Sequence, residues 1–370
     1  MTVSTSEKER YLTMKGQGGS KILHMEHWSN PDAETYLTGI DYYDRPRDCR
    51  LRLAELYPML ELPIPETNAP IPRPKMGSGS GSASSNREHH SVRWGDGETA
   101  TFLHGEQFFK TEDDVFAFHP LQHADFRDWK FVVECHDFTS EQAIYERTRK
   151  YYPAEWGEKA PEFSTAQAGF YNTMFMWPML TFGWEMFLAT CLEDEFQPIM
   201  EEFAEINRRV FSAYSRLPIN FCTCHDDICM TAGPVCSPSW MHQYIYPRYE
   251  EYWAILQAKG IDPIFMTDGN PTAVLHELIR CGAKGLITEP YFDFKAAVKK
   301  HPNMMLAGEG DNRILTYGTK EDIRKMVERM VETGKECGGY FMCVGNHIPW
   351  NVPGENIKYY FDYSDQLAWR

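Results

Sequence analysis

Five short stretches of this 370-residue chain place a polar or titratable side chain directly after an apolar run. They are His225-Asp226-Asp227, Asp268-Gly269-Asn270, Glu289-Pro290, Glu309-Gly310-Asp311 and Asn346-His347. One such residue is ordinarily a turn former or a helix cap. Five in succession could converge on one space. Carboxylates and imidazoles together suit two kinds of chemistry. They can hold a hard or borderline divalent ion with a position left open, zinc being the common case. They can also act as general acid and base, with burial pushing their pKa values apart. His225, Asp226, Asp227 and Asp268 are the candidates for the second role. Spacing leaves both uses open, and the chain has no Cys-x-x-Cys. "HMEHW" offers His24, Glu26 and His27 after another apolar run, either to join the others or to anchor a loop. Cys222, Cys224, Cys229 and Cys236 are spaced unlike a zinc ribbon and read as buried thiols. Tyr171, Phe175, Trp177, Tyr291, Phe292 and Trp350 lie near the same apolar ends. Such rings are mostly core, and a pocket for a flat aromatic ligand would also use them.

The elements that must position these residues follow a rhythm. From Ile219 onward, strand and helix alternate every ~20–40 residues, as a parallel sheet requires. "INFCTCHDDICM", "DPIFMTDGN", "GLITEP", "NMMLAGEGD" and "YFMCVGNH" read as strands with their exits. The segments between them read as helices. Gly260 and Gly282 end two of these, Pro271 stands in a first turn, and Thr319 caps another. Ile323, Met326, Val327 and Met330 share one face of the last-named helix. Upstream, Phe196, Ile199, Phe203, Ile206 and Val210 mark the stripe of a long helix. "AGFYNTMFMWPM", "KILHMEHW" and "LAELYPMLELPIP" supply earlier strands. The expected fold is α/β, a single (β/α)8 barrel over residues 1–370, whose chemistry belongs at the C-terminal rim of the strands. Residues 60–125 form an irregular insertion. It contains "SVRWGDGETATFL", a hairpin, and "GSGSGSASSN" at 77–86, a flexible surface loop. "RPRDCRLR" reads as a solvated helix start.

Composition excludes several function classes. A net charge of −16 repels nucleic acid and anionic membranes. No stretch reaches the apolar length of a membrane span. The first residues lack the apolar core of an export signal, and the ten cysteines lack a disulfide spacing. A cytoplasmic setting with reduced thiols is expected.

"HDDICMTAGPVCSPSWMHQYIYPRYEEYWAILQAKG" resembles the central signature of the uroporphyrinogen decarboxylase superfamily. "GEGDNRILTYGT" and "GGYFMCVGNHIPWNVPGENI" resemble its later motifs. The match runs from about Leu217 to Tyr363, and it implies a (β/α)8 barrel. The decarboxylases of this superfamily hold a polycarboxylate substrate with an arginine-rich motif at the first strand. This chain has "HMEHWSN" there, without arginine. In the coenzyme M methyltransferases, zinc is held by a His-x-Cys pair after the fifth strand and a Cys near the last. Here Met266-Thr267-Asp268 and Asn346-His347 stand in those places.

The resemblance therefore implies a carboxylate–histidine set, similar to that of ether-cleaving methyltransferases in anaerobic O-demethylase systems. It implies zinc on Glu289, Glu309 and His347, with Asp226, Asp227 or Asp268 as a proton donor to the departing oxygen. Tyr171, Phe175, Trp177, Tyr291 and Trp350, with Asn346, would bind a methoxylated aromatic. A corrinoid protein would bring its cobalamin to the barrel mouth as methyl acceptor, and residues 77–86 would be a linker or a docking lid. Two alternatives remain from the same residues: another enzyme of the superfamily, whether a decarboxylase or a methyltransferase with a different donor, and a non-catalytic small-ligand barrel. A homodimer is compatible with the sequence, which does not fix the oligomeric state.

Overall fold

Short parallel strands rich in Phe, Ile, Leu and Met alternate with amphipathic helices. The computed structural model describes residues 5–58, 63–73, 89–94, 97–102, 108–128, 136–171, 173–345 and 347–370. The strands that build the sheet are β1 (Leu23–His24), β2 (Gln167–Tyr171), β3 (Phe221–His225), β4 (Asp262–Met266), β5 (Gly285–Ile287), β6 (Met305–Ala307) and β7 (Phe341–Met342). β2 pairs with β3, β3 with β4, β4 with β5 and β5 with β6, all in parallel. Parallel bridges at Leu306–Tyr340 and Gly310–Val344 join β6 to β7, and β7 pairs with β1. Among the described residues the order around the wall is β2-β3-β4-β5-β6-β7-β1, seven strands in the parallel arrangement of a (β/α)8 barrel.

Inside the barrel, Leu23, Phe221, Ile264, Met266, Ile287, Met305, Ala307, Phe341 and Cys343 fill the space. Outside it, helix α1 (Phe196–Tyr214) buries the expected stripe of Phe196, Ile199, Phe203, Ile206 and Val210. Helix α2 (Lys320–Lys335) starts at a Thr319 capping box with Asp322 and buries Ile323, Met326, Val327 and Met330. Burying a large apolar side chain of this kind contributes roughly 1.5–3 kcal/mol.

Several expectations are corrected. "LAELYPMLELPIP" opens in a helix and not in a strand, for its first four residues close the helix Pro46–Leu56, which is begun by proline in its first turn; residues 59–62 lie outside the described residues. The segment after Ser237 is two helices, Pro238–Tyr244 and Tyr246–Gln257, separated at Ile245. Pro247 cannot donate the hydrogen bond that would carry one helix through. The helix after Pro271 begins only at Leu275. Arg50, in the arginine-rich stretch, is not solvated, for its guanidinium grips the buried Glu34 carboxylate. The hairpin is present as His89–Trp94 against Gly97–Phe102. The Gly/Ser stretch 77–86 lies outside the described residues.

Candidate functional site

Beyond the last paired residue of each strand the ladder continues, and this places the exits side by side. The Asp226 amide donates to the Met266 carbonyl, Thr267 to Ile287, Thr288 to Ala307, and Gly310 to Cys343, at 2.9–3.1 Å. The exits of β3, β4 and β5 bring one set of groups together. Nε2 of His225 lies 2.8 Å from Oδ1 of Asp227. The same Asp227 oxygen accepts from the Asp268 amide at 2.8 Å. One ligand atom each from His225, Asp227 and Asp268 lies within 4.8 Å of the others. Glu289 accepts from the Gly269 amide at 2.8 Å and pins the Asp268 turn. Glycine is required at that turn: φ is +77°, and a Cβ would sit 2.5 Å from the Met230 backbone.

Electrostatics follow from this crowding. Burial pushes the Asp268 carboxyl up, the charges of Asp227 and Glu289 add to it, and together they bring it to about 7. A cation placed among these groups would relieve that repulsion. For His225, burial pulls the pKa down, but the hydrogen bond and charge of Asp227, with Asp268 and Asp226 behind it, leave it raised. Two further imidazoles stand at the exits of β1 and β7. Burial lowers His27, Glu26 pulls it back, and His225 lowers it again. Burial lowers His347, and His27 adds to the effect. One nitrogen and two carboxylate ligands suit a hard or borderline divalent ion, and a three-ligand protein set leaves positions open for a substrate oxygen. The donor set therefore fits a metal such as zinc.

The model of the uroporphyrinogen decarboxylase (URO-D) family matches residues 183–367, half of the chain. The chain belongs to this family. Among solved structures, a methyltransferase from Methanosarcina mazei is similar to this URO-D chain over 97% of its length and 98% of the other's. Its TM-score is 0.58 and its sequence identity 15%, so the likeness concerns the fold. No curated protein sequence matches the chain.

In this URO-D barrel the sequence-derived residues are distributed differently from expectation. Glu289, Glu309 and His347 do not form a three-ligand set; among the described residues, His225, Asp227 and Asp268 do. Glu309 is drawn away into the wall. It accepts from the Tyr340 hydroxyl at 2.7 Å, Arg329 Nε at 3.1 Å and Thr333 Oγ1 at 3.3 Å. Asp226 is a clamp and not a proton donor at the mouth. It is fully buried and accepts from the amides of Met174, Phe175 and Met176 and from the Tyr249 hydroxyl, at 2.7–2.9 Å. Burial holds its carboxyl above the ordinary range against the pull of these donors.

Phe175 and Trp177 are core, not ligand contacts. Trp177 packs edge-on against Phe126, Phe138 and Phe170, and Phe175 against Phe187 and Trp240. Phe292 is also buried, against Phe294. Tyr291 and Trp350 remain half-buried, and the Arg313 guanidinium lies 5.2 Å from the Tyr291 ring centroid. Tyr171 closes β2, while Asn346 lies outside the described residues. The nine described cysteines are free thiols, all but Cys236 buried. Burial pushes Cys229 and Cys236 up to about 12.

Sequence reasoning missed the tyrosines. Tyr249, Tyr340 and Tyr360 each donate to one strand-exit carboxylate: Asp226, Glu309 and Glu26 respectively. For Tyr249 and Tyr360 a signal existed, since a tyrosine on an otherwise apolar helix face normally has a buried partner for its hydroxyl.

Proposed function

We propose that the chain is a methyltransferase that moves the methyl group of an aryl methyl ether to the corrinoid of a partner protein. The observation that carries this reading is the His225–Asp227–Asp268 set at the barrel mouth, built from nitrogen and oxygen donors without a thiolate. Thiolate-rich sites favour sulfur as the methyl acceptor. A nitrogen–oxygen set suits activation of an oxygen leaving group instead.

His225, Asp227 and Asp268 would hold the divalent ion. Bound there, the ion supplies a Lewis acid for the ether oxygen, which must leave as a phenolate whose conjugate acid has a pKa of about 10. In the transfer the methyl–oxygen bond breaks with its electron pair going to oxygen, and the reduced corrinoid contributes the pair for the new bond. Asp227 fixes the His225 ring, and the Asp268 amide fixes Asp227 in turn. Glu289 keeps the Asp268 turn in place. Tyr291 and Trp350 border the aromatic ring. The fold of the Methanosarcina methyltransferase supports the reaction class.

The test is anaerobic incubation with cob(I)alamin and methoxybenzenes or methoxyphenols, with methanol and methylamines as controls. Methylcobalamin, read from its visible spectrum, should form with the aryl ethers only and stop when a chelator strips the metal. Turnover of methanol or methylamines, or of no donor at all, would overturn the reading.

A further inference from the structure

We infer that Tyr249, with Thr173 beside it, is a positioning residue for the metal set: acting through Asp226, it holds His225 and Asp227 in the arrangement that receives the ion. The inference rests on the metal set of the proposed function and not on methyl transfer itself.

Asp226 stands between two members of that set in sequence, yet its side chain turns into the core. Its amide donates to the Met266 carbonyl at 3.0 Å, and its carbonyl accepts from the Ile228 amide at 2.8 Å. One carboxylate oxygen accepts from the amides of Met174 and Phe175 and from the Tyr249 hydroxyl, the other from the Met176 amide. The preceding His225 carbonyl accepts from Thr173 Oγ1 at 3.2 Å, and the Thr173 hydroxyl also lies against that of Tyr249. Successive side chains of an extended chain point to opposite sides. Drawing Asp226 into the core therefore turns His225 and Asp227 together toward the mouth, where they meet at 2.8 Å.

Tyr249 differs from the other donors to Asp226 in what anchors it. The three amides belong to one short segment, Met174 to Met176, which Asp226 itself gathers. Tyr249 comes from the helix Tyr246–Gln257 and is 1% exposed. Its ring stacks on Trp253, with centroids 4.9 Å apart, and leans on Phe265 at 5.3 Å. Phe265 lies in β4, the strand whose exit carries Asp268. The hydroxyl thus ties the turn bearing two ligands to the strand bearing the third. The same kind of bond joins Tyr340 to Glu309, but Glu309 lies between Gly308 and Gly310 and its bond fixes no ligand. Asp227 and Asp268 repel each other, and a turn free to pivot would let Asp227 move off before an ion arrives. An anchored turn keeps the ligand atoms gathered and lessens the reorganisation that binding requires.

Titration with cobalt(II) in place of zinc tests this without turnover, since its visible bands report affinity and coordination geometry together. The proteins are the wild type, Tyr249→Phe and Tyr340→Phe, each first shown to be folded by circular dichroism. Phenylalanine keeps the ring contacts and removes only the hydroxyl. The wild type should bind an ion that Asp268→Ala does not. Tyr249→Phe should bind it about tenfold more weakly and with shifted bands, the lower end of the effect of losing a partner behind a metal ligand. Tyr340→Phe should match the wild type. If Tyr249→Phe does not fold, Thr173→Val decides in its place, with affinity about threefold lower and Thr173→Ser restoring it, the weight of one neutral hydrogen bond. Wild-type affinity and bands in the variant that decides, or an equal loss in Tyr340→Phe, would overturn the inference and leave the metal set standing. No ion in the wild type, or one that Asp268→Ala retains, would remove the set and the inference together. A Tyr249-dependent affinity with no methyl transfer from any donor would support the positioning role and remove the proposed reaction.

Discussion

Asp268 and Glu309 each follow a barrel strand, and each is largely withdrawn from water, yet their company differs. Glu309 is met by a tyrosine, a threonine and an arginine. Asp268 is met by Asp227, Glu289 and His225. Glu26 and Asp226 follow the pattern of Glu309, each accepting from a tyrosine and from backbone amides. A strand-exit carboxylate surrounded by donors holds the barrel together. One surrounded by other carboxylates stores repulsion that a cation can relieve. The partner inventory, more than the position on the rim, separates structural from chemical residues.

Substitutions can break that contrast. The largest effect belongs to the crowded arc: Asp227→Ala or Asp268→Ala should lower metal content and methyl transfer together, by about a hundredfold or more in rate, with folding retained. Mass-spectrometric metal analysis beside the cobalamin assay would detect it, and full metal occupancy in either variant would remove that residue from the ligand set. On the clamped side the effect should fall on stability. Asp226→Ala leaves three amides and the Tyr249 hydroxyl unmet in the core and should cost roughly 3–5 kcal/mol, read from the urea midpoint.

Glu309→Gln should give the smallest effect and sharpen the comparison through pH. Burial raises the Glu309 carboxyl above its ordinary 4.5, despite the opposing pull of its partners. The folded state therefore binds this proton more tightly than the unfolded chain. Its contribution is fullest below 4.5 and declines as pH rises through the folded value. Glutamine imitates the protonated form, so the variant should gain on the wild type as pH rises, by about 1 kcal/mol or less. Paired urea titrations at pH 4.5 and pH 8 would show it. A difference independent of pH would mean that Glu309 folds with an unshifted carboxyl.

The periodic parts of the fold were legible. The stripes at Phe196–Val210 and Ile323–Met330, the Thr319 cap and the five strand exits all follow from local spacing, and the structure keeps them. What spacing could not reveal was direction. His225, Asp226 and Asp227 are consecutive, yet Asp226 turns into the core toward Tyr249 while its neighbours meet each other at the mouth. Choosing among them required knowing where a tyrosine 23 residues downstream would arrive. The same holds for Glu309, whose donors Arg329 and Thr333 come from helix α2 and Tyr340 from the residue before β7. Trp177 belongs to a set of rings that are mostly core by type and that a ligand pocket would also use, and the convergence of Phe126, Phe138 and Phe170 on it decides for the core.

One feature at the opposite end of the barrel bears on traffic through it. The N-terminal helix Thr5–Met14 lies under the strands. Met14 packs among Phe221, Ile264 and Phe341, Tyr11 lies against Phe221, and Lys15 pairs with Asp262 at 2.7 Å. Gly18 then donates to the Gly338 carbonyl at 2.8 Å and binds the segment to the far wall. Among the described residues this helix covers the floor of the barrel, which leaves the rim as the side open to a small molecule. Under the proposed function, a partner protein seated on that rim would act as a lock, and loading and unloading would take turns with docking.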